Sequence, residues 1–115
     1  MSSQQPAGKR ELPAAEVRCL ADLVNYQEGA VVSRTVIHRT TGTVTLFAFD
    51  VGQELSEHTA PFDALAHLLE GAAEIVVSHK PLSTKAGDVV LMPAHQPHAL
   101  KALTRFKMLL TMIRS

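Results

Sequence analysis

Short apolar segments recur along this chain, and most of them end at a glycine or a proline. No stretch shows the long helical period of an amphipathic helix. Short strands at regular spacing with turn signals are typical of a β-sandwich or a closed barrel rather than of alternating strands and helices. The fold class is therefore predicted to be all-β, with strands in the second half at about residues 63–70, 73–79, 88–92, 97–103 and 106–113.

The first half of the chain begins with a segment rich in Ser, Gln, Pro and small residues. We predict a flexible N-terminal tail over residues 1–16 and one folded domain over residues 17–115. Residues 19–26 have the pattern of one or two helical turns or a capping arm. Residues 31–38 are β-branched, and residues 43–50 are largely apolar on both alternating faces, which is typical of a strand that is covered on each side.

The charge balance excludes several classes of partner. Eleven Lys and Arg residues offset eleven Asp and Glu residues, and no basic stripe is present, so neither nucleic acid nor a membrane is an expected partner. There is no apolar leader segment and no run of about 18 apolar residues, so a cytoplasmic protein is expected. Cys19 is the only cysteine, which we expect to be a buried or half-buried small side chain rather than a reactive one.

Two histidine-containing segments are bounded by glycine and proline. One runs GQELSEHTAPFDALAHLLEG from Gly52 to Gly71, and the other runs GDVVLMPAHQPH from Gly87 to His98. Together they resemble the paired motifs of the cupin family. The resemblance implies a single cupin barrel over residues 17–115, of the jelly-roll or double-stranded β-helix type. It also implies a homodimer, and we expect an outer sheet face with apolar residues such as Phe47, Phe49 and Leu65 to support that contact.

The first cupin motif is only partly present. Gly52, His58 and Gly71 match the motif, but Ala60 stands at the position of its second histidine and Ala64 at the position of its glutamate. In the second motif Gly87, Pro93 and His98 match, while His95 stands where glycine is usual and Ala102 where asparagine is usual. Cupins often hold a metal with three histidines and a glutamate, and here only His58 and His98 remain at ligand positions.

A metal would need a third ligand from outside the motif positions. The candidates are His95, from the loop of residues 93–97, and Asp63, although one residue along a strand places Asp63 on the opposite face from Ala64. His67 is also predicted to lie on the outer face. The resemblance names no definite cofactor; the candidate is a divalent transition metal, Zn, Fe, Ni or Mn.

The two alanines leave space, so we predict a roomy apolar cavity that binds a small-molecule ligand. Its polar pair is His58 and His98. One alternative is a metal-dependent enzyme of the oxygenase or isomerase type that uses His58, His98 and one irregular ligand. Another is metal-free acid–base chemistry on one histidine. The predicted pocket-lining residues are His58, Ala60, Ala64, His98, Met92 and Met108.

Overall fold

Strands make up most of the computed structural model, which describes residues 11–114. The first element is a short 3-10 helix at Leu20–Leu23, and each element after it is a strand. Within residues 11–114 the strands are β1 (Val31–Arg39), β2 (Gly42–Phe49), β3 (Glu54–His58), β4 (Phe62–Glu70), β5 (Ala72–Val77), β6 (Lys80–Lys85), β7 (Val89–Met92), β8 (His98–Ala102) and β9 (Phe106–Arg114).

The strands form two antiparallel sheets that face each other as a jelly-roll barrel. One sheet has the order β1-β2-β9-β4-β7, and the other has the order β3-β8-β5-β6. The prediction of an all-β barrel is confirmed. The sequence pattern missed β3, whose sequence ELSEH is mostly polar, and β6, in which Pro81 and the lysines at both ends make the segment look like a loop. Pro81 lies on a strand at the edge of its sheet, where a missing backbone donor is tolerated.

The space between the sheets is filled by apolar side chains from both. Phe49 of β2 and Phe106 of β9 are direct cross-strand partners, and their rings stack with centroids 4.5 Å apart. Ile75 and Leu100 contribute from the opposite sheet. Phe47 also faces this core, which corrects our placement of Phe47 and Phe49 on an outer face; Leu65 does lie on the outer face.

A second apolar cluster lies on the outer side of the five-stranded sheet, where the segment before β1 covers β1 and β2. Leu12, Leu20 and Val24 pack there against Leu46 and other buried residues. The Leu12 backbone N–H donates to the Val36 carbonyl oxygen at 3.0 Å, so residues 11–16 of the predicted tail include a backbone attachment to β1. Residues 1–10 of that prediction lie outside the described residues.

Buried polar contacts attach the same segment to the sheet. Lys107, which is buried, donates from Nζ to the Ala21 carbonyl oxygen at 2.6 Å. The Tyr26 hydroxyl donates to the Glu70 carboxylate at 2.6 Å. Cys19 is exposed, so its predicted burial is wrong; the neighbouring Leu20 is the one that packs on the sheet. Between residues 11 and 114, no helix is long and apolar enough to span a membrane.

Candidate functional site

His58 and His98 meet at the same end of the barrel, on adjacent strands. His98 begins β8, and its side chain lies on the inner face with Leu100 and Ala102. It is 8% exposed, whereas His58 at the end of β3 is exposed. The two residues are cross-strand partners, so His98 lies inside the barrel and His58 lies at its mouth.

An irregularity in β3 brings His58 into this position. Leu55 pairs with Leu100, and regular antiparallel pairing would then place Glu57 opposite His98. The register instead shifts between Leu55 and His58, so that His58 is the partner of His98. One extra residue in one strand is the definition of a β-bulge, and it reverses the face that each following side chain points to. The bulge therefore presents an imidazole to His98 in place of a carboxylate.

The two imidazole rings are in edge-to-face contact. Their centroids lie 4.3 Å apart, with an angle of 67° between the ring planes. The Nδ1 of His58 is 2.8 Å from the Ser56 carbonyl oxygen, and the Nδ1 of His98 is 3.3 Å from the Gln96 carbonyl oxygen. A carbonyl oxygen can only accept, so these contacts favour the tautomer with the proton on Nδ1 and the lone pair on Nε2. Both rings are thus oriented by the backbone.

Burial lowers the pKa of His98 below the usual histidine value, and the nearby His58 lowers it further. The contact with the Gln96 carbonyl oxygen acts in the opposite direction and is weaker. At neutral pH His98 is therefore neutral, and it offers a nitrogen lone pair to the cavity.

We expect the pH dependence of stability to reveal this shift. Because the unfolded chain binds a proton on His98 more readily than the folded chain, the free energy of unfolding should fall as pH drops below about 6.5 toward the lowered pKa. An NMR titration of the His98 ring should give a midpoint below the usual value. In His58→Gln the midpoint should rise only part of the way, since burial remains. A His98 midpoint at or above the usual value in the parent protein would contradict this expectation.

The pair opens onto one internal cavity of about 60 Å³. Apart from the two histidines, the cavity wall is apolar, and three of its members are methionines. The lining residues are Leu55, His58, Ala60, Ala64, Met92, His98, Leu100, Met108, Leu110 and Met112. All six residues that we named as pocket-lining from the sequence are among them.

The prediction of a roomy cavity is wrong. A volume of about 60 Å³ is well below the few hundred Å³ of an ordinary small-molecule site. Ala64 lies between Met92 of β7 and Met112 of β9, which are its direct partners in the two neighbouring strands. Long thioether side chains on either side of a small residue occupy the space that the alanine leaves.

Leu55, Leu100, Leu110 and Met112 line the cavity but were not named from the sequence. A signal for two of them was present: strands alternate faces, so Leu110 and Met112 share the inner face with Met108. Leu55 and Leu100 are cross-strand partners, and that pairing depends on how β3 and β8 meet.

The candidate third ligands lie elsewhere. Asp63 is exposed, and its carboxylate accepts the Ala94 N–H at 2.9 Å. His95 is exposed, and its backbone N–H donates to the Ala60 carbonyl oxygen at 2.8 Å. His67 lies on the outer face of β4, as predicted. Across residues 11–114 no three His, Cys, Asp or Glu side chains are grouped closely enough to hold a metal ion.

Comparison with known proteins decides the family. The family model for the cupin domain matches residues 45–113. The chain belongs to the cupin family. Its barrel is similar to that of a conserved protein of unknown function from Streptococcus pyogenes, at 34% sequence identity and a TM-score of 0.87, over 91% of this chain and 92% of that one.

Other cupins show the same likeness. A cupin superfamily protein from Desulfitobacterium hafniense is 30% identical, with a TM-score of 0.86, over 91% of this chain and 96% of that one. A cupin 2 conserved barrel domain protein from Leptotrichia buccalis is 37% identical, with a TM-score of 0.79, over 82% of this chain and 46% of that one. No curated protein matches the chain.

The side chains at this site do not fit the divalent metal that many cupins hold. A catalytic divalent metal takes about three protein ligands, commonly with a carboxylate among them. This cavity offers two imidazoles and no carboxylate, because Ala60 and Ala64 have no donor atoms in their side chains. The arrangement is instead two imidazole rings that face an apolar wall rich in methionine.

Proposed function

We propose that this cupin is a binding protein whose barrel holds one small ligand at the His58–His98 pair. The observation that carries the proposal is the convergence of two backbone-oriented imidazoles on a cavity whose other lining side chains are apolar. Sites for small ligands commonly combine an apolar wall with a few convergent polar groups that fix the orientation of the ligand. The exposed ring of His58 supplies a route from solvent to the buried ring of His98.

The size of the cavity limits the ligand. About 60 Å³ accommodates an ion or a few atoms, and a larger molecule requires the methionines to move. Methionine has three rotatable bonds and changes its packing at low cost, so Met92, Met108 and Met112 form an adaptable wall. The ligand is accordingly very small, or it inserts only one end between the imidazoles.

NMR of the histidine rings and methionine methyl groups tests this proposal directly. The probes are formate, acetate, imidazole, cyanide and single metal ions, each added to the whole chain. At least one probe should shift the His58, His98 and methionine signals together. The shift should need about tenfold more probe in His98→Ala, which loses the buried donor. His79→Ala, an exposed histidine outside the cavity, is the matched control and should behave like the parent. Absence of any joint shift would refute the proposal.

The alternative is a metal-dependent oxygenase or isomerase that uses His58, His98 and one irregular ligand. It has less support, because the part of the chain described here groups no third His, Cys, Asp or Glu with the pair. Elemental analysis of protein purified without chelating resin distinguishes the two functions. A near-stoichiometric divalent metal that is lost in both His58→Ala and His98→Ala would favour the enzyme.

We also propose that two copies associate through the outer face of the five-stranded sheet. Leu65, Val89, Leu91 and Ile113 lie there on β4, β7 and β9, and all are exposed. The formal net charge of zero leaves little repulsion between copies.

Light scattering tests the proposed dimer. It should give twice the chain mass for the parent protein. It should give the mass of a single chain for Leu91→Glu, which places a charge on a side chain that is 60% exposed on this face. Leu103→Glu, at an exposed leucine in the β8–β9 loop, should stay dimeric. A monomeric parent would refute this proposal.

A further inference from the structure

The side chains that could donate to an ion at the cavity differ from the histidine and glutamate set of the cupin motifs. Three methionines, Met92, Met108 and Met112, line the same cavity as the imidazoles of His58 and His98. Thioether and imidazole are neutral donors, and thioether sulfur favours soft metal ions such as Cu(I) over hard ions that prefer carboxylate oxygen. Every donor atom that the lining side chains provide therefore suits a soft ion.

Strand register shows which methionines flank the position of the missing ligand. Ala64 occupies the glutamate position of the cupin motif, and its cross-strand partners are Met92 on β7 and Met112 on β9. Directly opposite residues in antiparallel strands have Cβ atoms about 5 Å apart, which is within reach of a methionine side chain. At the position where the cupin motif has a glutamate, this chain has Ala64. Its side chain has no donor atom, and it lies between two methionines.

We propose that the barrel binds a single soft monovalent metal ion, Cu(I), through Nε2 of His58, Nε2 of His98 and a thioether of Met92 or Met112. This inference rests on the proposed binding function and names the chemical class of its ligand. A three-coordinate site of two nitrogens and one sulfur needs little space, which agrees with a cavity of about 60 Å³.

Charge favours a monovalent ion over a divalent one. Apart from the two imidazoles, the cavity is lined by apolar side chains, and the cost of moving an ion out of water rises steeply with its charge. A divalent ion here would have no carboxylate to offset that cost. The exposed ring of His58 supplies the first ligand that an entering ion would meet.

Competition with a chromogenic Cu(I) chelator under anaerobic, reducing conditions tests the proposal on the whole chain. We expect one Cu(I) per chain, bound at least about 100-fold more tightly than Zn(II) or Ni(II). Met92→Leu or Met112→Leu should weaken Cu(I) binding by at least about tenfold, and His98→Ala should weaken it further. Leucine has almost the same volume as methionine and no donor atom, so these variants keep the core packed. Thermal unfolding of each variant confirms that it is folded.

Methyl-labelled methionine supplies a second readout that does not depend on affinity. The chain has four methionines, and three single Leu variants, at Met92, Met108 and Met112, assign all four signals. Because Cu(I) is diamagnetic, its binding should shift the methyl signals of the cavity methionines without broadening them.

The outcomes separate this inference from the function on which it rests. Equal Cu(I) binding by all three Leu variants would overturn the thioether ligand, and Zn(II) binding as tight as Cu(I) would overturn the soft-ion site. If Cu(I) does not bind but formate or imidazole shifts both histidines, the inference fails and the binding function stands. If no probe shifts either histidine, both fail.

Discussion

Replacing Gly71 by alanine should destabilise the barrel strongly, and much more than replacing Gly87 by alanine. Gly71 joins β4 to β5 at a φ of +80°, a conformation that costs a residue with a side chain about 1–2 kcal/mol. An added Cβ would also lie 2.0 Å from the Arg105 carbonyl oxygen and 2.7 Å from the Cβ of Phe106. The carbonyl belongs to the backbone, so the main chain itself has to shift. Backbone strain and overpacking together should lower the free energy of unfolding by roughly 3–5 kcal/mol.

Gly87→Ala is the matched control, because it separates backbone strain from steric overlap. Gly87 has a φ of +93°, but a Cβ there meets no atom within 4 Å. Urea unfolding should therefore show a loss of only about 1–2 kcal/mol for Gly87→Ala. Similar losses for the two variants would contradict the argument that the close approach of residues 105 and 106 sets the larger cost.

The second large effect is expected for Phe106→Ala. Phe106 is fully buried and stacks on Phe49 at the centre of the core, with an angle of 16° between the ring planes. Truncating a buried phenylalanine to alanine typically costs about 3–5 kcal/mol, from lost burial and from the cavity that remains. The measurement is the free energy of unfolding in urea, with the slope of the transition checked for a change in the denatured state.

Phe62→Ala is the control for removing an aromatic ring. Phe62 is only partly buried, at the start of β4, and its ring lies 5.2 Å from the guanidinium carbon of Arg114. Losing this contact should cost at most about 1 kcal/mol. An equal loss in both variants would mean that the stacked pair of Phe49 and Phe106 is not the centre of the core.

Most of the fold could be predicted from local pattern. The strands β1, β2, β4, β5, β7, β8 and β9 lie close to the predicted ranges, because each has β-branched or apolar residues bounded by turn residues. Strands β3 and β6 escaped prediction because both are mostly polar, and the sequence of β6, KPLSTK, also contains a proline. Strand β6 is held at the edge of its sheet by pairing with β5, and Thr84 is its one buried residue.

The candidate site could be predicted in part of its membership but not in its dimensions. His58, Ala60, Ala64 and His98 follow from motif positions, whereas Leu55, Leu100, Leu110 and Met112 were not named from the sequence. Whether two alanines leave an open cavity depends on side chains from other strands. Met112 flanks Ala64 only because β9 pairs with β4 in one register, and that register is a property of the assembled sheet.

The amino-acid sequence alone determined the all-β class, the cupin motifs and the absence of a side-chain donor at residues 60 and 64. Each of these is a matter of residue identity and local spacing. The cupin motifs implied the pair of His58 and His98, but only the tertiary structure showed its physical cause. An extra residue in β3 reverses the alternation, so that His58 rather than Glu57 is the partner of His98. Cross-strand packing likewise narrowed the cavity and surrounded Ala64 with thioethers. Both results depend on contacts between residues far apart in the chain, which local pattern does not specify.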